Sequence, residues 1–246
     1  MVYDLGIVVP VYHSKESVGI LVGQLKKAFE PEVRVQICLV DDSDGGGVSE
    51  YLRSHCLGPG VMLVTLAGNF GQQAAVLCGL EKLESCRFYG TIDDDLQQPV
   101  KTLRRLYEKA LKGYDVVYGI PKKRRNLMRS LGSRMRDMLF SCLLGVPRGM
   151  RVSSLRVMTD AVAKRAVAGQ QGSFFYLSAE IYKNSRRRPV RTANLFYVQR
   201  ERREGKSGYS LSSLAGLWGR ILWHYVLNRR RKGAAGTLYR IKEIIK

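Results

Sequence analysis

The stretch Phe88-Tyr89-Gly90-Thr91-Ile92-Asp93-Asp94-Asp95-Leu96-Gln97-Gln98-Pro99 decides how this chain folds. Phe88–Ile92 is a short apolar run of strand character, three carboxylates follow at once, and Pro99–Leu111 then carries helical spacing. The same rhythm extends outward on both sides. Leu5–Val11, Val33–Val40, Val61–Leu66 and Asp115–Gly119 read as further strands, and Ser17–Phe29, Val48–Ser54 and Gln72–Leu83 as further helices. These strands are apolar almost throughout instead of alternating, so both of their faces are covered. The expectation is an α/β fold: a Rossmann-like, mostly parallel sheet flanked by helices. Ligands of such sheets bind beyond the carboxyl ends of the strands. Polar clusters follow three of the strands, at Tyr12-His13-Ser14, Asp41-Asp42-Ser43-Asp44 and Asp93-Asp94-Asp95. All three are expected to meet on one edge.

Beyond residue 120 the rhythm changes. Asn126–Leu144 reads as an amphipathic helix with Leu127, Leu131, Met135, Met138, Leu139 and Cys142 on one stripe. Val190–Val198 reads as a strand, Gln199–Gly208 as a charged loop, and Ser210–Leu227 as a second amphipathic helix running into Arg229-Arg230-Arg231-Lys232. This divides the chain into a domain, 1–209, made of two parts, 1–119 and 120–209, and a basic, membrane-associating segment, 210–246.

Charge follows the same division. The net charge is +20, yet residues 1–119 carry 12 Lys/Arg against 15 Asp/Glu, while residues 120–246 carry 29 against 6. A nearly neutral front half with one acidic cluster is joined to a cationic back half, whose field attracts phosphates. Five cysteines without CxxC spacing read as buried free thiols, and three scattered histidines make no zinc site. Leu5–Val11 is too short for a secretory leader, and no stretch reaches the roughly 18–20 apolar residues of a membrane span.

Three adjacent carboxylates repel one another unless something positive offsets them. Oxygen-rich, highly charged sites suit Mg²⁺ or Mn²⁺, which also bind substrate phosphates. A metal bridging a diphosphate would neutralise the leaving group of a displacement. The alternative is a solvated loop that lends negative charge to the N-terminus of the following helix. Gln97, a further oxygen ligand, and the second acidic turn on the same edge favour the metal.

The ordered set Val8-Val9-Pro10-Val11-Tyr12 with Glu16, Leu39-Val40-Asp41-Asp42-Ser43, Asn69-Phe70-Gly71-Gln72, Thr91–Gln97, Arg129 with Ser133, Ser154-Leu155-Arg156 and Arg202–Ser210 resembles glycosyltransferase family two. The fold implied is GT-A, and the branch is similar to dolichol-phosphate-mannose synthases and undecaprenyl-phosphate glycosyltransferases. The resemblance implies a nucleotide-sugar half, 1–119, and an acceptor half, 120–209, with Pro10, Tyr12, Glu16 and Asp42 lining the base and ribose of a nucleotide-diphosphate sugar. Asp93 and Asp94 would meet the nucleotide, and Asp93, Asp95 and Gln97 would hold Mg²⁺ or Mn²⁺ and the diphosphate. Asp95, Arg129 and Arg202 would serve catalysis, Arg202 from a mobile loop. Lys122, Arg124, Arg129, Ser133, Ser154, Arg156 and Lys206 would meet acceptor or phosphate.

Three departures stand out. The usual Asp-Asp-Gly-Ser-x-Asp-Gly pattern is shortened to Asp42-Ser43-Asp44-Gly45-Gly46-Gly47. The lid motif Gly-x-Ser-Lys reads Gly205-Lys206-Ser207-Gly208. Ser154 stands where many relatives have Asp. A hydroxyl acceptor needs a general base; a phosphate monoester, with a second pKa of about 6, is already anionic near neutrality and needs none.

The implied acceptor is a polyprenyl phosphate collected from an anionic membrane surface by a peripheral enzyme on the cytoplasmic face, with a homo-oligomer open. The amphipathic stripes, Trp218, Trp223 and the basic clusters suit a headgroup boundary. The same stripes also suit an ordinary core. Nucleic acid is not expected, since the basic runs lack interleaved aromatics and a named motif. The competing readings are transfer to a polysaccharide or other hydroxyl acceptor, and a non-catalytic cationic module.

Overall fold

A computed structural model describes residues 3–122, 145–170, 174–183, 185, 187–201, 216, 219–227 and 237–246. The strands are β1 (Tyr3–Val11), β2 (Val35–Asp41), β3 (Val61–Leu66), β4 (Cys86–Thr91), β5 (Val116–Pro121), β6 (Arg156–Thr159), β7 (Thr192–Tyr197) and β8 (Ile241–Ile245). The helices are α1 (Glu16–Phe29), α2 (Val48–His55), α3 (Gln72–Lys82), α4 (Val100–Ala110), α5 (Asp160–Ala168) and α6 (Leu177–Tyr182). A π-helical turn covers Trp223–Leu227.

One eight-stranded sheet runs in the order β7-β5-β6-β4-β1-β2-β3-β8. β1 pairs in parallel with both β2 and β4, β2 with β3, and β5 with β7. β6 enters antiparallel between β4 and β5, so all strands except β6 and β8 point their carboxyl ends to one edge. The sheet is mostly parallel, as the continuous apolar runs require.

The apolar side chains divide by strand parity into two cores. Leu5, Ile7 and Val9 of β1 pack with Leu21 and Leu25 of α1, Leu52 of α2 and Leu103 of α4. Val8 faces the other way, with Ala75 and Cys78 of α3, Ala163 of α5 and Ile181 of α6. In β2 and β3 every residue, and in β1 all but the first two, is buried on whichever face it points to, which is why alternation is missing from those stretches of the sequence.

Two parts of the sequence reading change. Residues 241–245, read as part of a membrane-associating tail, form the sheet's edge: Leu63 pairs with Ile245 and Val64 with Ile244. The segment from Arg156 to Tyr182, where no element was expected, forms β6, α5 and α6. The expected helix Asn126–Leu144 lies wholly outside the described residues, as do residues 210–215, 217 and 218 of the expected helix Ser210–Leu227. Among the described residues no helix is long and apolar enough to cross a membrane. Cys38, Cys56, Cys78 and Cys86 are buried free thiols.

Candidate active site

The order of the strands fixes where the site lies. From β1 the chain moves to β2 and β3 on one side, then returns to β4 on the other. The loops after β1 and β4 therefore depart in opposite senses and leave a crevice between them, the usual ligand position in open α/β sheets. Pro10, which has no N–H to donate, lies two residues past the last β1–β4 pair, Val8 with Thr91.

The three polar clusters meet at this edge. The backbone N–H of Tyr12 donates to Asp94 Oδ2 at 2.9 Å, tying the loop after β1 to the acidic turn after β4. The N–H of His13 donates to Ser43 Oγ at 2.9 Å, tying the same loop to the end of β2. His13 and Leu96 both hold left-handed φ values, 55° and 60°. For a buried leucine that conformation is strained. It closes the turn in which Asp95 Oδ1 accepts the N–H of Gln97 at 3.1 Å.

Asp93 has the densest set of partners. Gln72 Nε2 donates to its Oδ1 at 2.7 Å. The Ser154 hydroxyl donates to its Oδ2 at 2.7 Å, and Gln98 Nε2 donates to the same oxygen. The Gln98 amide also accepts the N–H of Asp93 at 3.0 Å and donates to Ser154 Oγ at 2.9 Å. Burial pushes the Asp93 carboxyl up to about 6, with the charges of Asp95 and Asp94 adding to it and the Ser154 hydroxyl and Arg156 opposing. Asp94 is raised as well, mainly by burial. A cation placed at this turn would offset that cost.

Asp42, expected at the base and ribose, has a structural task. Its two oxygens accept the N–H groups of Phe70 at 2.7 Å and Gly71 at 2.8 Å, clamping the turn that starts α3. Gly71 has φ 89°, which a side chain rarely adopts. Tyr12 is half exposed, and Glu16 is exposed on the first turn of α1. Both remain open to a ligand. A separate cleft of about 340 Å³ opens beyond β2 and β3, between Asp44, Glu50, Thr65 and Lys242 of β8. It lies to the far side of β2 from the β1–β4 crevice.

Arg156 is the clear correction. It was expected to meet phosphate, but it is 4% exposed. Its Nη1 donates to Ser178 Oγ at 2.9 Å and its guanidinium lies over the Tyr118 ring. It belongs to the interior behind the site. Lys122 is exposed just past β5, its N–H donating to the carbonyl of Tyr197 at 2.7 Å. Arg124, Arg129, Ser133, Arg202 and Lys206 lie outside the described residues. Gln97 exchanges bonds with Arg200: the N–H of Arg200 donates to its carbonyl at 3.0 Å and its Nε2 donates back at 3.5 Å. The segment leading to the charged loop thus starts at the acidic turn.

The sequence reading missed Gln72, Gln98 and Tyr197 as residues of this site. Gln72 stood inside a quoted motif, whereas nothing local marks Gln98. Tyr197 is buried, and its phenol is raised by that burial and by the charges of Asp93 and Asp95.

Among the described residues no three His, Cys, Asp or Glu side chains converge as a ready cation cage. The set expected from the sequence, Asp93, Asp95 and Gln97, would offer two carboxylates and an amide. This fits Mg²⁺ or Mn²⁺, which use one or two carboxylates and fill the remaining positions with phosphate oxygens and water.

The undecaprenyl-phosphate 4-deoxy-4-formamido-L-arabinose transferase of Yersinia enterocolitica is 30% identical over 217 residues, covering 87% of this chain and 64% of that protein. The enzyme of the same name from Edwardsiella ictaluri is 31% identical, with 87% and 65% covered. The chain thus spans just under two thirds of the length of these relatives. Among solved structures, glucosyl-3-phosphoglycerate synthase from Mycobacterium tuberculosis, in complex with Mn²⁺, UDP-glucose and phosphoglyceric acid, superposes with a TM-score of 0.64 at 14% identity, covering 92% of this chain and 79% of that one. Mannosyl-3-phosphoglycerate synthase from Rubrobacter xylanophilus also gives 0.64 at 14% identity, covering 92% and 74%. At that identity the likeness speaks for the shared GT-A fold alone. The model of glycosyl transferase family 2 matches residues 6–186. A match of that length, on a sheet of this architecture, makes the chain a member of glycosyl transferase family 2.

Proposed function

We propose that this enzyme transfers one sugar, with inversion, from a nucleotide-diphosphate sugar to a polyprenyl phosphate such as undecaprenyl phosphate, using Mg²⁺ or Mn²⁺. The observation that carries the proposal is the acidic turn at the β1–β4 crevice, bonded to the loop after β1 through Tyr12 and Asp94. Support for the acceptor comes from the similarity to undecaprenyl-phosphate transferases.

In this reading Pro10, Tyr12 and Glu16 line the base and ribose, and Asp42 shapes that wall by fixing Phe70 and Gly71. Asp93, Asp95 and Gln97 would hold the cation, whose charge would offset that of the departing diphosphate. A phosphate oxygen of the acceptor attacks the anomeric carbon from the face opposite the diphosphate. The carbon–oxygen bond to the diphosphate breaks, and nucleoside diphosphate departs. The acceptor oxygen is already anionic, so positioning and electrostatics do the work without a dedicated base. Ser154 fits this view, because its hydroxyl is committed to Asp93 Oδ2. Lys122, Arg124, Arg129, Ser133 and Lys206 would gather phosphate, and Arg202 would close over the donor. The enzyme would work peripherally on the cytoplasmic face of an anionic membrane.

The test is to incubate the protein with UDP-, GDP-, CDP- and dTDP-sugars and a short polyprenyl phosphate, with Mn²⁺ or with chelator, and to read product by mass. A glycosyl phospholipid formed only with metal is expected. Transfer to a hydroxyl acceptor alone, or metal-independent transfer, would overturn the reading. Sedimentation with anionic liposomes tests the membrane surface separately.

A further inference from the structure

Asp93 has four lone-pair positions on two oxygens. Two donors, Gln98 Nε2 and the Ser154 hydroxyl, converge on Oδ2. Among the described residues, Gln72 Nε2 is the one donor bonded to Oδ1, at 2.7 Å. The two oxygens are therefore unequal: Oδ2 is saturated from within the protein and Oδ1 retains acceptor capacity.

Gln98 grips Asp93 twice. Its Oε1 accepts the Asp93 N–H at 3.0 Å while its Nε2 donates to the carboxylate of the same residue. One amide thus ties the backbone of Asp93 to its own side chain and fixes how the carboxylate is turned. The Ser154 hydroxyl, accepting from Gln98 at 2.9 Å and donating to Oδ2 at 2.7 Å, closes the ring. Gln98 is itself held: it is 7% exposed and is followed by Pro99, the N-cap of α4, whose Val100 and Leu103 are buried in the core. The packing of a helix is transmitted through one amide to one carboxylate.

We infer that Gln98 is a positioning residue that locks Asp93 Oδ2 and so presents Oδ1 as the single oxygen offered to a divalent cation. The inference deepens the proposed function and rests on its metal reading. Partners of this kind, which touch a ligand and not the ion, typically govern metal affinity by about 10–100-fold.

The experiment measures Mn²⁺ binding by the loss of the free-ion electron paramagnetic resonance signal. It is done with and without whichever of UDP, GDP, CDP or dTDP binds the wild-type enzyme. Gln98→Met keeps the length and loses both ends of the amide. Gln36→Met serves as control: Gln36 is also buried, accepting from the N–H of Glu84, but sits on β2 away from the carboxyl edge. Expected is a rise of about 10-fold or more in the Mn²⁺ dissociation constant for Q98M, with Q36M within about twofold of wild type and nucleotide binding without metal unchanged in both. Should Q98M fail to fold, Gln98→Asn, whose amide stops one methylene short, carries the same comparison. Wild-type binding of Mn²⁺ with an unchanged Gln98 variant would overturn the positioning role alone. A wild-type protein that binds no Mn²⁺ with any of the nucleotides would overturn the metal reading together with it.

Discussion

Asp93 and Asp95 are two residues apart and held in different ways, and they should respond differently to substitution. Asp95 accepts the N–H of Gln97 inside a strained turn, and in the proposed function its carboxylate faces the cation. Asp95→Asn is expected to lower kcat/KM by about 100-fold or more, roughly 3 kcal/mol of transition-state stabilisation, with little change in melting temperature. Steady-state kinetics beside a thermal melt would check both halves. Ser154→Ala removes one of two donors to Asp93 Oδ2 and leaves Gln98 in place. Turnover should fall by less than about tenfold, in line with one lost hydrogen bond of about 1 kcal/mol. A loss of several orders of magnitude in kcat would instead mark Ser154 as part of the proton chemistry. The acidic turn was legible in the sequence because three carboxylates after an apolar strand have few other uses. Gln98 was not, since a glutamine before a helix-starting proline carries no periodic signal. Arg156 misled for a related reason: an arginine reads alike whether it faces a phosphate or Ser178 and Tyr118 in the interior.

At the scale of elements, close approach and buried charge make the sharper predictions. α3 lies against β1 through Gly79, where an added Cβ would fall 2.4 Å from Val8 Cγ1 in a fully buried strand. Gly79→Ala is expected to destabilise by about 1–3 kcal/mol, and chemical denaturation would measure it. On α6, Glu180 is 5% exposed, accepts the Tyr225 hydroxyl at 2.9 Å and faces Lys183 at 3.4 Å. Burial raises its carboxyl despite the opposing Lys183 and Tyr225. A carboxylate raised in the folded state costs stability above its raised pKa, and that cost vanishes as pH falls through the ordinary value of about 4.3. Glu180→Gln should therefore melt at or above wild type at pH 8, with the difference narrowing as pH falls toward 4.3. A gap that widens on acidification would contradict this. The first five strands and four helices could be read from sequence because each carries a continuous apolar run or a helical stripe. β6 is only four residues long, and β8, Ile241-Lys242-Glu243-Ile244-Ile245, has no pattern that separates a strand from an amphipathic tail. Pairing with β3 decides it, and that partner lies far away in sequence.

For the whole molecule, β8 is the cover on one edge of the sheet. Besides its ladder, Arg53 of α2 meets Glu243 at 2.5 Å, and Leu238, Tyr239 and Ile241 add to the core on the α3 side. The half-exposed ion pair contributes about 0–1 kcal/mol, so the apolar contacts and the ladder matter more. Removing residues 238–246 should lower the melting temperature and bare the unpaired edge of β3. Thermal unfolding with light scattering would show both, as an earlier melt and concentration-dependent association. The charge division of the chain also belongs to this scale. The acidic turn sits in the half that is slightly negative, and the phosphate-attracting field must come from residues beyond 120.

The two ends of the described chain come together at a single turn. The N–H of Tyr3 donates to the carbonyl of Ser85 at 3.1 Å, and the Lys246 ammonium lies 3.9 Å from the Glu84 carboxylate. This turn lies on the edge of the sheet opposite Asp93, where β1 begins and the antiparallel β8 finishes. A linker of a few residues could join Lys246 to Tyr3, and new termini could be opened in an exposed connection far from the carboxyl edge. Such a circular permutant would retain every strand pairing described here, and a tag or immobilising surface attached beside Tyr3 or Lys246 would sit on the edge of the sheet opposite the β1–β4 crevice.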